Sequence, residues 1–183
     1  MYFKITPNLL ESAFGCSMDF EGWEHITLNY PTIPDSELPK PVPYLTPDSM
    51  VDCTDYPSTN SGLKVLISGK FKKILDNFNT ITTYYESIIR CCDGILDDYY
   101  TLSVKSCHGF IDETKSTFSK YEIPGVAPLR FFSKTIFTPF NTDFDLFWTE
   151  EPLNSDVIVS ARLHDALVKD SLTGIEFYPC EFS

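Results

Sequence analysis

Histidine and cysteine are the residue types in this chain best suited to covalent or metal chemistry, and their spacing supports neither. The three histidines, His25, His108 and His164, form no H-E-x-x-H run and no paired metal spacing. Cys107 directly precedes His108, so the two side chains point to opposite faces if this segment is a strand. Because a cysteine nucleophile needs a base close to it in space, a small cysteine hydrolase is an alternative that the sequence does not favour.

Phosphate-binding and hydrolase motifs are absent from the sequence. No G-x-S-x-G, Walker A or G-x-G-x-x-G run occurs, and the Ser-Gly-Lys run at residues 68–70 lacks the upstream glycine of a phosphate loop. Asp93, Asp97 and Asp98 match a calcium loop only in part, because no glutamate stands at its twelfth position. We therefore predict no catalytic residue, no metal site and no cofactor.

The densest group of acidic residues lies near the C-terminal end and is the candidate surface for binding another protein. With a neighbouring tryptophan as a possible anchor, its members are Asp143, Asp145, Trp148, Glu150, Glu151 and Asp156. A strand is predicted over residues 144–149, which places Asp143 and Asp145 on the same face. Two interpretations remain open: a patch for a basic partner, or the polar outer face of a half-buried strand.

The composition is that of an acidic globular protein. Of the 183 residues, 43% are hydrophobic and 22% are charged, and 14 basic against 26 acidic residues give a net charge of −12. Such a surface repels phosphate backbones, so we expect no nucleic-acid partner. It suits solubility, or a protein partner with a basic face.

Cysteine usage and hydropathy indicate the compartment. The six cysteines are irregularly spaced, and the sequence shows no signal peptide and no apolar run near the ~20 residues of a membrane span. We expect reduced thiols in a cytoplasmic protein with no membrane partner.

Seven prolines between residues 31 and 57 interrupt the first third of the chain. Each proline removes a backbone donor, which argues against a long helix or a central strand there. We predict an extended, turn-rich arm that packs onto the domain through apolar side chains: Tyr44, Leu45, Met50, Val51 and Tyr56.

The most informative feature is an internal repeat. Residues 65–78 and 157–170 align without a gap, and each begins with three apolar β-prone residues followed by a serine, Ser68 or Ser160. A basic residue follows each serine by two places, and apolar residues follow it by three, six and seven places. This spacing predicts a buried strand, a serine that caps a helix, the helix itself and a further strand. Gly174 would end the second copy in a turn.

Strand-like sequence fills the region between the copies. Further strands are predicted over residues 98–104, 106–112, 130–137 and 144–149, with others at 2–5 and 175–179. We therefore predict a single α+β domain over residues 1–183, with a mixed or mostly antiparallel sheet and few helices. Residues 1–61 would be its irregular arm and 62–183 its core.

The repeat carries a resemblance to a known family. The run D-V-I-V-S-A-R-L-H-D-A-L at residues 156–167, followed by L-T-G-I-E-F at 172–177, resembles the C-terminal signature of bacterial immunity proteins encoded beside polymorphic toxins. The run I-S-G-K-F at residues 67–71 and the strand at 99–102 fit the same pattern. The resemblance covers roughly residues 62–180, and residues 1–61 match nothing identified.

The resemblance implies a function without catalysis. Such a protein binds one cognate toxin and neutralises it by covering its active or substrate-binding surface. The family has no catalytic motif to transfer, so Ser68, Ser160 and Gly174 are expected to be capping and turn residues of the scaffold. The acidic candidates above would then face a basic toxin surface. A protein-binding or scaffold module of unrelated biology remains the alternative.

Overall fold

Strands and two short helices make up the part of the fold that the structure describes, which confirms the predicted α+β class. A computed structural model describes residues 1–8, 15–18, 36, 38–59, 65–104, 106–121, 129–149 and 157–183. In chain order the strands are β1 (Tyr2–Pro7), β2 (Gly15–Met18), β3 (Val42–Leu45), β4 (Ser58–Thr59), β5 (Val65–Ser68), β6 (Thr82–Cys91), β7 (Gly94–Val104), β8 (Ser106–Cys107), β9 (Thr117–Tyr121), β10 (Leu129–Lys134), β11 (Leu146–Thr149), β12 (Val157–Ser160) and β13 (Ile175–Pro179). The helices are α1 (Gly69–Leu75) and α2 (Ala161–Lys169), and a 3-10 turn spans Met50–Asp52.

A five-stranded sheet joins the two ends of the chain. Its order is β13-β1-β12-β11-β8, and all neighbours are antiparallel except β11 and β8. The first strand lies between two of the last, with Tyr2 opposite Ser160 and Lys4 opposite Tyr178. The N-terminal segment is therefore an integral part of this sheet.

A six-stranded sheet carries the first copy of the repeat. Its order is β4-β2-β3-β6-β7-β5, with parallel pairs β2–β4 and β3–β6 and antiparallel pairs elsewhere. Its longest strands, β6 and β7, form one hairpin that turns between Cys91 and Gly94. A separate antiparallel hairpin consists of β9 and β10.

The repeated unit is present as predicted. Ser68 ends β5 and caps α1, where its Oγ accepts a hydrogen bond from the backbone N–H of Phe71 at 3.2 Å. Ser160 ends β12 and caps α2 in the same way, accepting from the N–H of Leu163 at 3.2 Å. Strands β6 and β13 follow the two helices.

One apolar core connects both helices to both large sheets. The inner faces of the helices contribute Phe71, Leu75, Leu163 and Leu167, each at most 1% exposed. These side chains pack in the same cluster as residues of β5, β7, β11 and β12. Burying such side chains supplies about 1.5–3 kcal/mol each, so the two copies of the repeat stabilise each other.

The proline-rich arm departs from the prediction. Val42–Leu45 is a central strand, paired with β2 on one side and β6 on the other, although it contains Pro43. The N–H of Thr46 bonds to the β6 carbonyl of Arg90, so by alternation Pro43 faces β2. The described pairs between β3 and β2 involve only Tyr44 and Leu45 of β3. The absent backbone N–H of Pro43 therefore interrupts none of the described pairs.

The apolar residues of the arm divide into two groups. Tyr44 and Tyr56 are buried, as expected for an arm that packs onto the domain. Leu45 and Val51 are 41% and 87% exposed, so the prediction that they pack inward is wrong.

Candidate functional site

The members of the predicted acidic cluster that the structure describes do not share one exposed surface. Asp145 is 3% exposed and Trp148 is 7% exposed, whereas Asp143 is exposed. The remaining candidates, Glu150, Glu151 and Asp156, lie outside the described residues. The predicted alternation fails because β11 lies inside its sheet, and all four residues of Leu146–Thr149 are buried.

Asp145 is a buried carboxylate that holds the start of α2. Its Oδ1 accepts a hydrogen bond from Ser160 Oγ at 2.6 Å, and its Oδ2 accepts from Arg162 Nη2 at 2.5 Å and from the backbone N–H of Asn79 at 2.9 Å. Burial raises the pKa of Asp145, but the hydrogen bonds from Arg162, Ser160 and Asn79 outweigh it and hold the pKa below its ordinary value. This carboxylate is occupied within the chain, so it belongs to the scaffold.

Asp55 plays the same part at the start of α1. Its Oδ1 accepts from Ser68 Oγ at 2.6 Å, and its Oδ2 accepts from the backbone N–H of Thr173 at 2.9 Å. Lys70 stands where Arg162 stands in the other copy, with its Nζ 3.9 Å from the Asp55 carboxylate.

The two aspartates cross-link the copies of the repeat. Asp55 joins the serine cap of α1 to the loop after α2, through Thr173. Asp145 joins the serine cap of α2 to the loop after α1, through Asn79. Each helix start is thereby tied to the end of the other copy.

Gly174 lies beside the first of these junctions. Its φ of +76° is in the left-handed region that favours glycine. A Cβ placed there would lie 2.4 Å from Thr54 Oγ1 and 2.6 Å from Thr54 Cβ. Both the turn and the close approach therefore require glycine.

Trp148 belongs to the core. It packs in the cluster shared by both helices, and its Nε1 has no hydrogen-bond acceptor among the described residues. A side chain in this position contributes to packing and is not available as an interface anchor.

The tip of the β6–β7 hairpin presents exposed apolar side chains. Ile95 is 61% exposed, and it lies directly opposite Arg90, which in turn lies opposite Leu45 on β3. Residues that are directly opposite in neighbouring strands point to the same face. Leu45, Arg90 and Ile95 therefore form one exposed row across three strands, and Asp97 shares its face by alternation along β7.

The 3-10 turn lies against this hairpin and adds a further apolar side chain. The carboxylate of Asp93 accepts from the backbone N–H of Met50 at 2.9 Å and from Ser49 Oγ at 2.5 Å. A Cβ on Gly94 would lie 2.6 Å from the Met50 side chain, so the turn packs closely on the hairpin. These contacts leave Val51 87% exposed at the end of the sheet.

The exposed side chains of this region do not form one surface. Leu45, Ile95 and Asp97 lie on one face of the sheet at this end, whereas the 3-10 turn with Val51 and Asp52 packs on the other face, because it contacts Gly94, whose strand partner Cys91 alternates with Arg90. The hydrogen bonds from Ser49 and Met50 lower the pKa of Asp93 below its ordinary value, so this carboxylate stays charged at neutral pH.

Two grooves on other parts of the surface have a different chemistry. One, of about 380 Å³, runs between α1 and α2 and is lined by Lys70, Lys73 and Lys169. The other, of about 490 Å³, lies between β10 and β13, where Lys134 forms an ion pair with Glu181 at 2.8 Å. Both contain more basic side chains than the tip of the β6–β7 hairpin.

Comparison with known proteins assigns the chain to a family. A model of an immunity protein family, Imm11, matches residues 2–181. The chain belongs to the Imm11 immunity protein family. This match confirms the resemblance to bacterial immunity proteins that was drawn from the repeat. It also extends that resemblance to residues 2–61, where the sequence had shown no similarity to the family. Among curated proteins, no relative matches this Imm11 chain.

None of the six cysteines of the Imm11 chain forms a disulfide, and within the described ranges no group of three or more His, Cys, Asp or Glu residues could hold a metal ion. Burial raises the pKa of the Cys53 thiol to about 11, so the thiol is protonated at neutral pH. His25 lies outside the described residues.

His164 is half-buried and packs against two aromatic side chains. Its ring stacks on Phe3 with centroids 4.0 Å apart, and Phe177 packs edge-on at 4.7 Å. Nδ1 lies 2.9 Å from the carboxylate of Asp165. The histidine thus joins α2 to β1 and β13, which is a structural role.

None of the helices described here is long and apolar enough to cross a membrane.

Proposed function

We propose that this Imm11 protein binds one cognate bacterial toxin and neutralises it by covering the toxin's active or substrate-binding surface. Family membership over residues 2–181 is the observation that carries the proposal. The protein would act in the cytoplasm, where an incoming toxin meets its targets. No catalytic step is needed, because a toxin whose substrate cannot enter is already inactive.

The charge of the chain supports a toxin with a basic surface. A net charge of −12 repels nucleic acid and attracts proteins that bind polyanions. Toxins that cut or modify nucleic acids need a basic channel for their substrate. An acidic inhibitor is steered to such a channel, and complementary charge raises the association rate above the usual 10⁵–10⁶ M⁻¹s⁻¹.

Co-expression tests this function. The C-terminal domain of the protein encoded beside this gene is expressed in a sensitive host, with and without the Imm11 protein, and survival is scored. We expect full rescue together with co-purification of the two proteins at one-to-one stoichiometry. A toxic neighbour that is neither bound nor rescued contradicts the proposal and favours a binding module of unrelated biology.

A destabilised variant provides the control for folding. Leu163→Ala removes a side chain that is fully buried in the shared core, at a cost of about 2–5 kcal/mol. Rescue should fall in proportion to the folded fraction of this variant, as measured by circular dichroism. Full rescue by a chain that is unfolded in the cell would show that protection does not require this structure.

A further inference from the structure

Strand β13 forms one end of the five-stranded sheet, and its outer edge pairs with no strand that the structure describes. Its inner edge pairs with β1 along its whole length. Within the described ranges β10 likewise pairs only with β9. The groove of about 490 Å³ lies between β13 and β10, so it is bordered by two strand edges. Such an edge presents a row of N–H and C=O groups that another chain can pair with.

The backbone groups of β13 alternate between its two edges. The N–H of Cys180 donates to the carbonyl of Tyr2 at 3.0 Å, so every second residue before Cys180 also points its backbone groups toward β1. The N–H and C=O groups of Ile175 and Phe177 therefore point to the outer edge. Pro179 shares this outward position, where a strand tolerates the missing N–H. The outer edge thus offers two donors and three acceptors to an added strand.

The same outer edge already binds an extended segment just beyond β13. The N–H of Phe137 donates to the carbonyl of Glu181 at 2.8 Å, and the N–H of Ser183 donates to the carbonyl of Phe137 at 2.8 Å. A parallel bridge joins Phe137 to Phe182. Because Phe137 follows the end of β10 by three residues, β10 and β13 meet at this bridge and the groove lies between them before it. The edge is therefore suited to backbone pairing, and the groove begins where the described pairing stops.

The side chains of β13 define the pattern of the partner. Tyr178 lies directly opposite Lys4, and both line the groove together with Thr6, so this face is polar. Phe177 points to the other face, where it packs against His164 with ring centroids 4.7 Å apart. A strand added beside β13 would direct its side chains alternately to these two faces. The best partner is an extended segment in which polar and apolar residues alternate.

We propose that the toxin docks by adding an extended segment to β13, in the groove between β13 and β10. This inference rests on the proposed function and gives it a surface and a mode of binding. Backbone hydrogen bonds to Ile175 and Phe177 supply the attachment, and the alternating side chains supply the choice of partner. The occupant is a toxin segment and not a second copy of this chain, because β10 borders the groove on the side from which a second five-stranded sheet would approach.

Amide hydrogen exchange tests the backbone pairing residue by residue. The isotope-labelled protein is followed by NMR, alone and in complex with the purified toxin domain. The amides of Ile175 and Phe177 should exchange fast in the free protein and slow by about 100-fold or more in the complex. The amides of Glu176 and Tyr178 point toward β1 and should be slow in both samples. Contact through side chains alone would not protect alternate residues in this way.

A matched pair of substitutions tests the groove. Ser133 is exposed on β10 and lines the groove, whereas Ser119 is exposed on β9 of the same hairpin and does not line it. Ser133→Trp fills the groove and should weaken toxin binding in biolayer interferometry by about 30-fold or more. Ser119→Trp should stay within about threefold of the wild type. Both positions are on the surface, so circular dichroism and the melting temperature should match those of the wild type.

The outcomes separate the mode of docking from the function. If the wild type binds and rescues, but Ile175 and Phe177 gain no protection and Ser133→Trp binds equally well, this docking mode is wrong and the proposed function stands. If the two amides are already protected in the free protein, the edge is covered by this chain or a second copy, and the proposal is overturned. If the wild type does not bind the toxin at all, the proposed function fails and this inference fails with it.

Discussion

The buried carboxylate of Asp145 allows the cross-link between the two repeats to be measured. In Asp145→Asn, one carboxylate oxygen becomes an NH₂ group that cannot accept a hydrogen bond. Ser160 Oγ can still donate to the remaining oxygen. The backbone N–H of Asn79 and Arg162 Nη2 lose their acceptor, whereas Arg162 Nε can still donate to the remaining oxygen, so the substitution tests the link between α2 and the loop after α1.

The expected loss follows from the exposure of the two donors. The hydrogen bond between the N–H of Asn79 and Asp145 is partly buried, and leaving this donor without an acceptor costs about 1–3 kcal/mol. Arg162 is 69% exposed, so water replaces the contact that its Nη2 loses and this contribution is small. We expect Asp145→Asn to lower the free energy of unfolding by about 1–3 kcal/mol at pH 7. The matched variant Asp55→Asn should lose about 1–2 kcal/mol, since the hydrogen bond that it accepts from Thr173 is exposed.

The pH dependence distinguishes this cause from a general loss of packing. The pKa of Asp145 is lower in the folded protein than in the unfolded chain, where it is about 3.9. Its contribution is therefore fully present above pH about 5 and is lost as the pH falls through the folded pKa. Because asparagine does not titrate, the stability difference between wild type and variant should shrink as the pH is lowered from 7 toward 3.

Urea denaturation at several pH values, followed by tryptophan fluorescence, measures this difference. Asp143→Asn is the control, because that neighbouring side chain is exposed and should change stability by less than about 0.5 kcal/mol. An Asp145→Asn loss below about 0.5 kcal/mol at pH 7, or a loss that is the same at pH 7 and pH 3, would refute the reasoning.

Three further predictions concern the scaffold and its thiols. Gly174 and Gly109 both have a positive φ, +76° and +75°, but an added Cβ would meet another side chain only at Gly174. Gly174→Ala should therefore lower the free energy of unfolding by about 2 kcal/mol and Gly109→Ala by about 1 kcal/mol in urea denaturation. Equal losses in the two variants would count against a clash at Gly174. Ser160→Ala should cost about 1–2 kcal/mol of unfolding free energy through loss of the helix cap, and an unchanged denaturation midpoint would exclude that role. At neutral pH, exposed Cys92 should react with Ellman's reagent well before Cys53, because burial raises the pKa of Cys53 to about 11 and keeps its thiol protonated. A fast phase of the reaction that persists in Cys92→Ser would contradict this order of reactivity.

The parts of the fold that follow from local pattern could be predicted from the sequence. Ser68 and Ser160 stand directly between an apolar triplet and a helical stripe, and capping needs only the next three residues. Their carboxylate partners could not be predicted in this way. Asp55 and Asp145 lie 13 and 15 residues before the serines they bind, and each also bonds to a loop of the other copy.

The errors share a physical cause, which is the position of a strand within its sheet. Pro43 suggested a segment outside the sheet, but its strand pairs with β2 and with β6, and the missing proline donor points toward β2, where the pairing is described only as far as Tyr44. Asp145 and Trp148 were placed on a half-exposed strand, whereas β11 has neighbours on both edges and is covered on both faces. The exposed row at Leu45 and Ile95 depends on the register of three strands, which the sequence does not specify.

The position of β1 has a consequence for how this protein is made. Its pairing partners, such as Ser160 opposite Tyr2 and Tyr178 opposite Lys4, leave the ribosome more than a hundred residues after it. Contacts so distant in sequence form late and slow folding. A nascent chain that stops before β12 therefore lacks both neighbours of β1, and this sheet is completed only after β13 has left the ribosome.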